Sequence, residues 1–254
     1  MQLTVSQKRQ LFEQGYVTVP GVVPDIMTDA AIRAINRSLG EGLPPERLPI
    51  YRAQSFCPEL QAEPVITDLL HKTPAFDLLG SVIDTASIEP VRSGQIALRF
   101  PGKDDPPGNV HPHIDGMYSP TNGVPKGIIG NFTALVGIFL SDVAGPYAGN
   151  FTVWPGSHRI NGEYFREHGA ESLLNGMPPV ELPEPVQVTA RRGDIVIAHY
   201  TLSHGVSQNL SPHTRYAIFF RIKHKGITKD NWQQSMENIW LHWPGLHPFT
   251  GGHA

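Results

Sequence analysis

The stretch His111-Pro112-His113-Ile114-Asp115-Gly116 decides how the rest of the chain is read. Side chains at i and i+2 of an extended segment point to the same side. His113 and Asp115 therefore bring an imidazole and a carboxylate to one point. A second imidazole from a distant segment would complete the two-histidine, one-carboxylate face that holds non-haem Fe(II) and leaves coordination positions open. Taken alone, a His-x-Asp pair is more often a hydrogen bond in a loop, so its meaning depends on what the chain supplies elsewhere.

Around this stretch the chain reads as a series of short strands separated by Gly, Pro, Asn and Asp: 93–100, 110–115, 132–140, 151–154, 186–190, 194–200 and 215–223. Ahead of it the pattern is helical. Ser6 is placed to cap a short helix ending at Gly15, and 16–19 alternates as a strand stopped by Pro20-Gly21. Apolar residues recur at helical spacing over 25–39, closed by Gly40. Further helices are expected over 63–70 and from 74 to 79, an inserted one over 163–174, and an amphipathic one over 231–241. These elements predict one domain over 1–254: a helical part (about 1–87) packed on a β core (about 88–223), with a C-terminal helix. The class is mainly β with flanking α-helices, a barrel or sandwich.

Composition agrees. Of 254 residues, 40% are hydrophobic and 17% charged, enough for a core, and the 25 Gly and 24 Pro suit a loop-rich β protein. The net charge of −3 and scattered Lys and Arg give no nucleic-acid surface. A single cysteine, Cys57, excludes an intrachain disulfide and a cysteine-rich zinc site. The first residues are polar, without the apolar run of a signal peptide. The most apolar stretch, 132–140, is too short to span a bilayer, and the final Gly-Gly-His-Ala is no retention signal. A cytoplasmic protein is expected, with no nucleic-acid or membrane partner.

Among the later histidines (158, 168, 199, 204, 213, 224, 242, 247 and 253), His204 is the best third ligand. It follows the strand region 195–200. A hairpin turn centred near residues 209–210, with Asn209 and Ser211-Pro212 as turn residues, would set His204 opposite Arg215. A guanidinium there is shaped to grip one end of a dicarboxylate whose other end chelates the metal. His199 is a much poorer ligand candidate.

His113-x-Asp115, His204 and Arg215 resemble the signature of the Fe(II)/2-oxoglutarate-dependent dioxygenases. Three further stretches are similar to the phytanoyl-CoA dioxygenase branch. They are Gly149-Asn150-Phe151-Thr152-Val153-Trp154-Pro155-Gly156-Ser157-His158, the run from Arg192-Gly193-Asp194 through His199 and His204 to Asn209, and the N-terminal stretch from Leu3 to Val23. The resemblance covers about residues 3–223. It implies a double-stranded β-helix (jelly roll, cupin-like) with His113, Asp115 and His204 as metal ligands and catalytic centre. It also implies Arg215 as the 2-oxoglutarate clamp, and Gln95 and Ser207 as candidate co-substrate contacts. Fe(II), 2-oxoglutarate and O2 follow as cofactor and co-substrates, ascorbate as an in vitro reductant, and hydroxylation of a small organic molecule with release of succinate and CO2 as the reaction. Halogenating relatives lack the carboxylate; Asp115 favours hydroxylation. Departures from the family pattern fall at Gly145-Pro146-Tyr147-Ala148-Gly149, where an acidic residue and Asn-Gly are common, and at Ile138, where some relatives place an aromatic near the co-substrate.

Trp154 reads as core or pocket wall. Loops 101–108 and 119–131 could form a lid, and Arg99, Tyr118, Lys126, Arg159 and His111 could face a substrate, although Pro112 disturbs the alternation that would aim His111. The alternatives are a catalytically inactive metal- or ligand-binding jelly roll, a zinc hydrolase using the same three residues, and a purely structural barrel.

Overall fold

A computed structural model describes residues 1–102 and 106–251. His253, the C-terminal tail and part of the 101–108 loop lie outside the described residues.

Helix α1 (Val5–Gln14) opens on a capping box. Thr4 Oγ1 accepts from Gln7 N and Gln7 Oε1 accepts from Thr4 N, so Thr4, not Ser6, is the cap. The helix ends where Gly15 adopts φ +80°. Strand β1 (Tyr16–Val19) follows, then α2 (Asp25–Gly40), α3 (Leu48–Ala53), α4 (Pro64–His71) and α5 (Pro74–Gly80). Pro at the first or second position opens α3, α4 and α5. Its missing N–H costs nothing there.

The remaining strands are β2 (Gln95–Arg99), β3 (Ala134–Phe139), β4 (Phe151–Val153), β5 (Val186–Gln187), β6 (Ile195–His199), β7 (His204–Val206) and β8 (Arg215–Ile222). They form two antiparallel sheets, β1-β6-β3-β8-β2 and β5-β4-β7. Two facing sheets with helices packed on one side are the expected jelly-roll architecture.

Period-two alternation divides the large sheet into two faces. Ile96 and Leu98, Val136 and Ile138, Ile195 and Ile197, Ile218, Phe220 and Ile222 pack with Ile35, Ile66, Leu69 and Leu78 of the helices. Ala97, Leu135, Phe139, Val196, Ala217 and Phe219 face the small sheet and Phe165 of α6 (Ser157–His168). Ile138 therefore faces the helices and not the co-substrate; Leu135 occupies the cavity side.

Four further expectations need correction. Segment 110–115 is not a strand: only His113 bridges to another segment, at His204, because Pro112 has no N–H to donate and Gly116 turns the chain at φ +85°. The inserted helix is α6, which starts at Ser157 and ends before Gly169; residues 170–175 form a 3-10 turn. The amphipathic stretch 231–241 holds a single helical turn, α7 (Gln234–Glu237). Beyond it, Ile239, Trp240 and Trp243 are pulled into the core, Trp240 and Trp243 against His199, so tertiary burial overrides the helical pattern. Finally, β7 and β8 are not a hairpin. Residues 207–214 cross from the small sheet to the large one, pinned by Asn209 Nδ2 donating to Arg99 O and His213 O. Among the described residues no helix is long and apolar enough to cross a membrane.

Candidate metal centre and its cavity

His113 and His204 exchange backbone hydrogen bonds: His113 N donates to His204 O (2.8 Å) and His204 N to His113 O (3.0 Å). This single bridge fixes the 111–116 loop against the end of β7 and sets the two imidazole centroids 4.5 Å apart. Asp115 Oδ1 lies 3.4 Å from His113 Nε2 and 3.6 Å from His204 Nε2. One donor atom from each of the three residues lies within 4.8 Å of the others. Donors spaced in this way can share an ion at about 2.1 Å from each. The residue types suit ferrous ion, so the fit is good.

Two details aim the donors. His204 Nδ1 meets Leu202 O at 3.0 Å. A carbonyl can only accept, so Nδ1 carries the proton and Nε2 presents a lone pair. Asp115 Oδ2 receives two hydrogen bonds from Arg221, 2.7 Å from Nη2 and 3.1 Å from Nε, which leaves Oδ1 for the metal. Burial alone would push the Asp115 carboxyl up. The Arg221 guanidinium and the imidazoles of His113 and His204 outweigh it and hold the carboxyl well below the usual carboxylate range. Arg221 was not anticipated. Its signal was the strand alternation itself, which puts residues 215, 217, 219 and 221 of β8 on one face.

These groups open into a cavity of about 420 Å³ between the two sheets. Arg215 lines it, buried, and starts β8 opposite Arg99 of β2. His204 and Arg215 thus reach one cavity from different sheets and not as a cross-strand pair. Arg215 Nε donates to Gly149 O (2.8 Å) and Nη1 to Ala97 O (3.0 Å), and Nη2 has no hydrogen-bond partner among the described residues. Burial, then the neighbouring Arg99, pushes this guanidinium down to about 9. Gly149 is required: at φ +73°, a Cβ on it would lie 2.8 Å from Arg99 Cβ and 3.3 Å from Arg215 Cβ.

Gln95 also lines the cavity, and its amide makes no hydrogen bond among the described residues. Ser207 does not: its hydroxyl accepts from Asn150 N and donates to Asn150 Oδ1, which ties it to the small sheet and takes it out of the co-substrate set. Arg99 and Tyr118 line the cavity, while Lys126 and Arg159 do not; Arg159 donates to Glu13 O by α1. His111 and Trp154 line a separate hollow. His199 is buried under Trp240 and Trp243 with Nε2 on Ile239 O, remote from any ligand role.

The sequence profile described as Phytanoyl-CoA dioxygenase (PhyH) matches residues 11–217. The chain belongs to the phytanoyl-CoA dioxygenase family. It is accordingly an Fe(II)/2-oxoglutarate-dependent dioxygenase. No curated protein matches it in sequence. Solved structures similar in fold to this chain include the following three. The non-heme alpha ketoglutarate-dependent carbocyclase SnoK from nogalamycin biosynthesis shares 21% identity, with 87% of this chain and 84% of that one covered and a TM-score of 0.55. HygX from Streptomyces hygroscopicus, solved with nickel and 2-oxoglutarate, shares 18% identity, with 88% of each chain covered and a TM-score of 0.57. AviO1 from Streptomyces viridochromogenes Tue57 shares 19% identity, with 86% and 93% covered and a TM-score of 0.53. Family membership and fold agree with the β-rich barrel or sandwich read from the strand series and with the jelly roll that the family resemblance implies.

Proposed function

We propose that this family member hydroxylates an unactivated C–H bond of a small organic molecule, placing one oxygen atom of O2 in the product and the other in succinate as 2-oxoglutarate loses CO2. The observation that carries the proposal is the convergence of His113 Nε2, His204 Nε2 and Asp115 Oδ1 in the cavity that Arg215 also lines. Ferrous ion held by these three would supply the redox chemistry that couples decarboxylation of the keto acid to oxidation of the substrate.

The chain's own residues do the positioning. Leu202 O holds His204 in the tautomer that offers Nε2. Arg221 occupies Asp115 Oδ2, so the carboxylate offers a single oxygen. With iron bound, that oxygen would take a ligand position that a halide would need, which favours hydroxylation over halogenation. Arg215, already braced by two carbonyls, grips the distal carboxylate of 2-oxoglutarate with its remaining N–H groups. The Gln95 amide, without another partner among the described residues, donates to a co-substrate oxygen. Ile114, Leu135, Phe151 and Phe219 line the same space and keep water from it. A small organic substrate is in keeping with HygX, whose structure has also been solved with hygromycin B.

The test is succinate release from 2-oxoglutarate with Fe(II) and ascorbate, screened against a metabolite pool. Succinate is expected from the native protein and not from His113→Ala. No succinate with any fraction points to a protein that binds without turnover; activity with zinc in place of iron points to a hydrolase.

A further inference from the structure

We propose that Arg52 and Arg99 form a second anion site in this cavity, and that the substrate is an organic anion with an apolar body, its carboxylate or phosphate held by this pair. The inference rests on the reading above that metal and 2-oxoglutarate share the cavity, and it names the substrate class.

The argument begins with β2. Alternation turns Gln95, Ala97 and Arg99 toward the cavity. Arg99 then lies directly opposite Arg215 in the β2–β8 register. Like charges so placed are destabilising. Arg52, at the end of α3, adds a third guanidinium at the exposed rim. Among the described residues neither Arg52 nor Arg99 has an acidic partner. The polar bond Arg99 makes is from Nη1 to Leu98 O at 2.8 Å, next to it in the chain. Among the described residues, Asp115 is the one acidic residue lining the cavity, and Arg221 already takes it.

A charge balance sharpens the point. A ferrous ion and the 2-oxoglutarate dianion cancel, and Asp115 cancels Arg221. Among the described residues lining the cavity, Arg52, Arg99 and Arg215 then leave a net excess of three positive charges even in the loaded enzyme. Burial, and after it Arg52, pushes the Arg99 guanidinium down to about 10, which is the mark of a cation short of a counter-charge. Retaining such a cluster beside a largely apolar cavity is costly unless an anion arrives to meet it. A guanidinium pair suits carboxylate or phosphate geometry. Met117, Met177 and Phe151, which line the same cavity, suit a hydrocarbon body.

The test uses protein loaded with Mn(II) and saturated with 2-oxoglutarate, titrated calorimetrically with octanoate and with octan-1-ol, its uncharged counterpart. Octanoate is expected to bind at least tenfold more tightly than octan-1-ol. Arg99→Gln should remove most of that preference and Arg52→Gln at least a threefold part, with circular dichroism unchanged for the exposed Arg52. Three results overturn the proposal: octanoate no tighter than octan-1-ol; octanoate displaced by 2-oxoglutarate, which would make Arg99 a second clamp on the co-substrate; or an unchanged preference in both variants. Failure to take up 2-oxoglutarate at all would sink the preceding functional reading instead. The octanoate-over-octanol comparison in metal-free protein would still test the arginine pair.

Discussion

The two faces of the five-stranded sheet are built from the same strands and do opposite work. Toward the helices, Ile96, Val136, Ile197, Ile218 and Phe220 make an apolar layer. Toward the small sheet, those same strands carry Gln95, Arg99, Arg215 and Arg221 among the apolar residues, and the cavity opens there. One face holds the fold together and leaves no room for chemistry. The other is underpacked and charged, which is affordable because the first is not. Stability and activity should therefore separate by face.

The largest effect expected is on the helical side. Phe220→Ala removes a fully buried ring and should cost about 3–5 kcal/mol in chemical denaturation. Metal affinity of the protein that remains folded should hardly change. A variant that lost metal binding while keeping its stability would break the division.

Acid should attack the same side, through a pair of buried histidines. His199 ends β6 among Trp240, Trp243 and His158. Its Nε2 donates to Ile239 O, so Nδ1 is left to accept from Thr201 N. Burial pushes its pKa down to about 4, from an ordinary 6.5. His158 is shifted the same way, chiefly by burial and then by His199. The unfolded chain takes up protons below pH 6.5 that the folded imidazoles refuse. Stability is therefore full above pH 6.5 and falls as the pH drops toward 4, by about 3 kcal/mol from His199 alone. Thermal melts across this range check it, and His199→Gln should flatten the dependence.

On the cavity side the smallest of these effects is the most local. Arg221→Gln should weaken metal binding about 10- to 100-fold, as loss of a group bonded to a metal ligand typically does. With the metal bound the melting temperature should move little, because the ion would also offset the Asp115 charge; in metal-free protein it should fall, because the buried carboxylate loses its counter-charge. Equal loss of stability in the metal-loaded protein would break the division.

What could be read in the residues follows the reach of the interactions. Strand alternation, Gly and Pro punctuation and the His-x-Asp spacing are local, and they led to the β-rich class and to the residues that the structure gathers around one cavity: His113, Asp115, His204 and Arg215. Sheet membership is not local. The interval from His204 to Arg215 looks like a hairpin until Asn209 is seen binding Arg99 O and His213 O across two sheets. The same limit hid Arg52, which reaches the cavity from a short helix in the N-terminal third with nothing in its neighbourhood to mark it. Arg221 was visible in principle, six residues along a strand from Arg215 and on the same side. Ser207 shows the converse: a plausible position in the chain, spent on Asn150 in the fold.

The double hydrogen bond from Arg221 to Asp115 has one more consequence. It neutralises the carboxylate from within the polypeptide, so the scaffold does not depend on iron supply to tolerate a buried negative charge. Chelation should strip such a protein reversibly, leaving a folded vessel that regains its capacity on refilling, unlike small zinc domains that collapse once emptied.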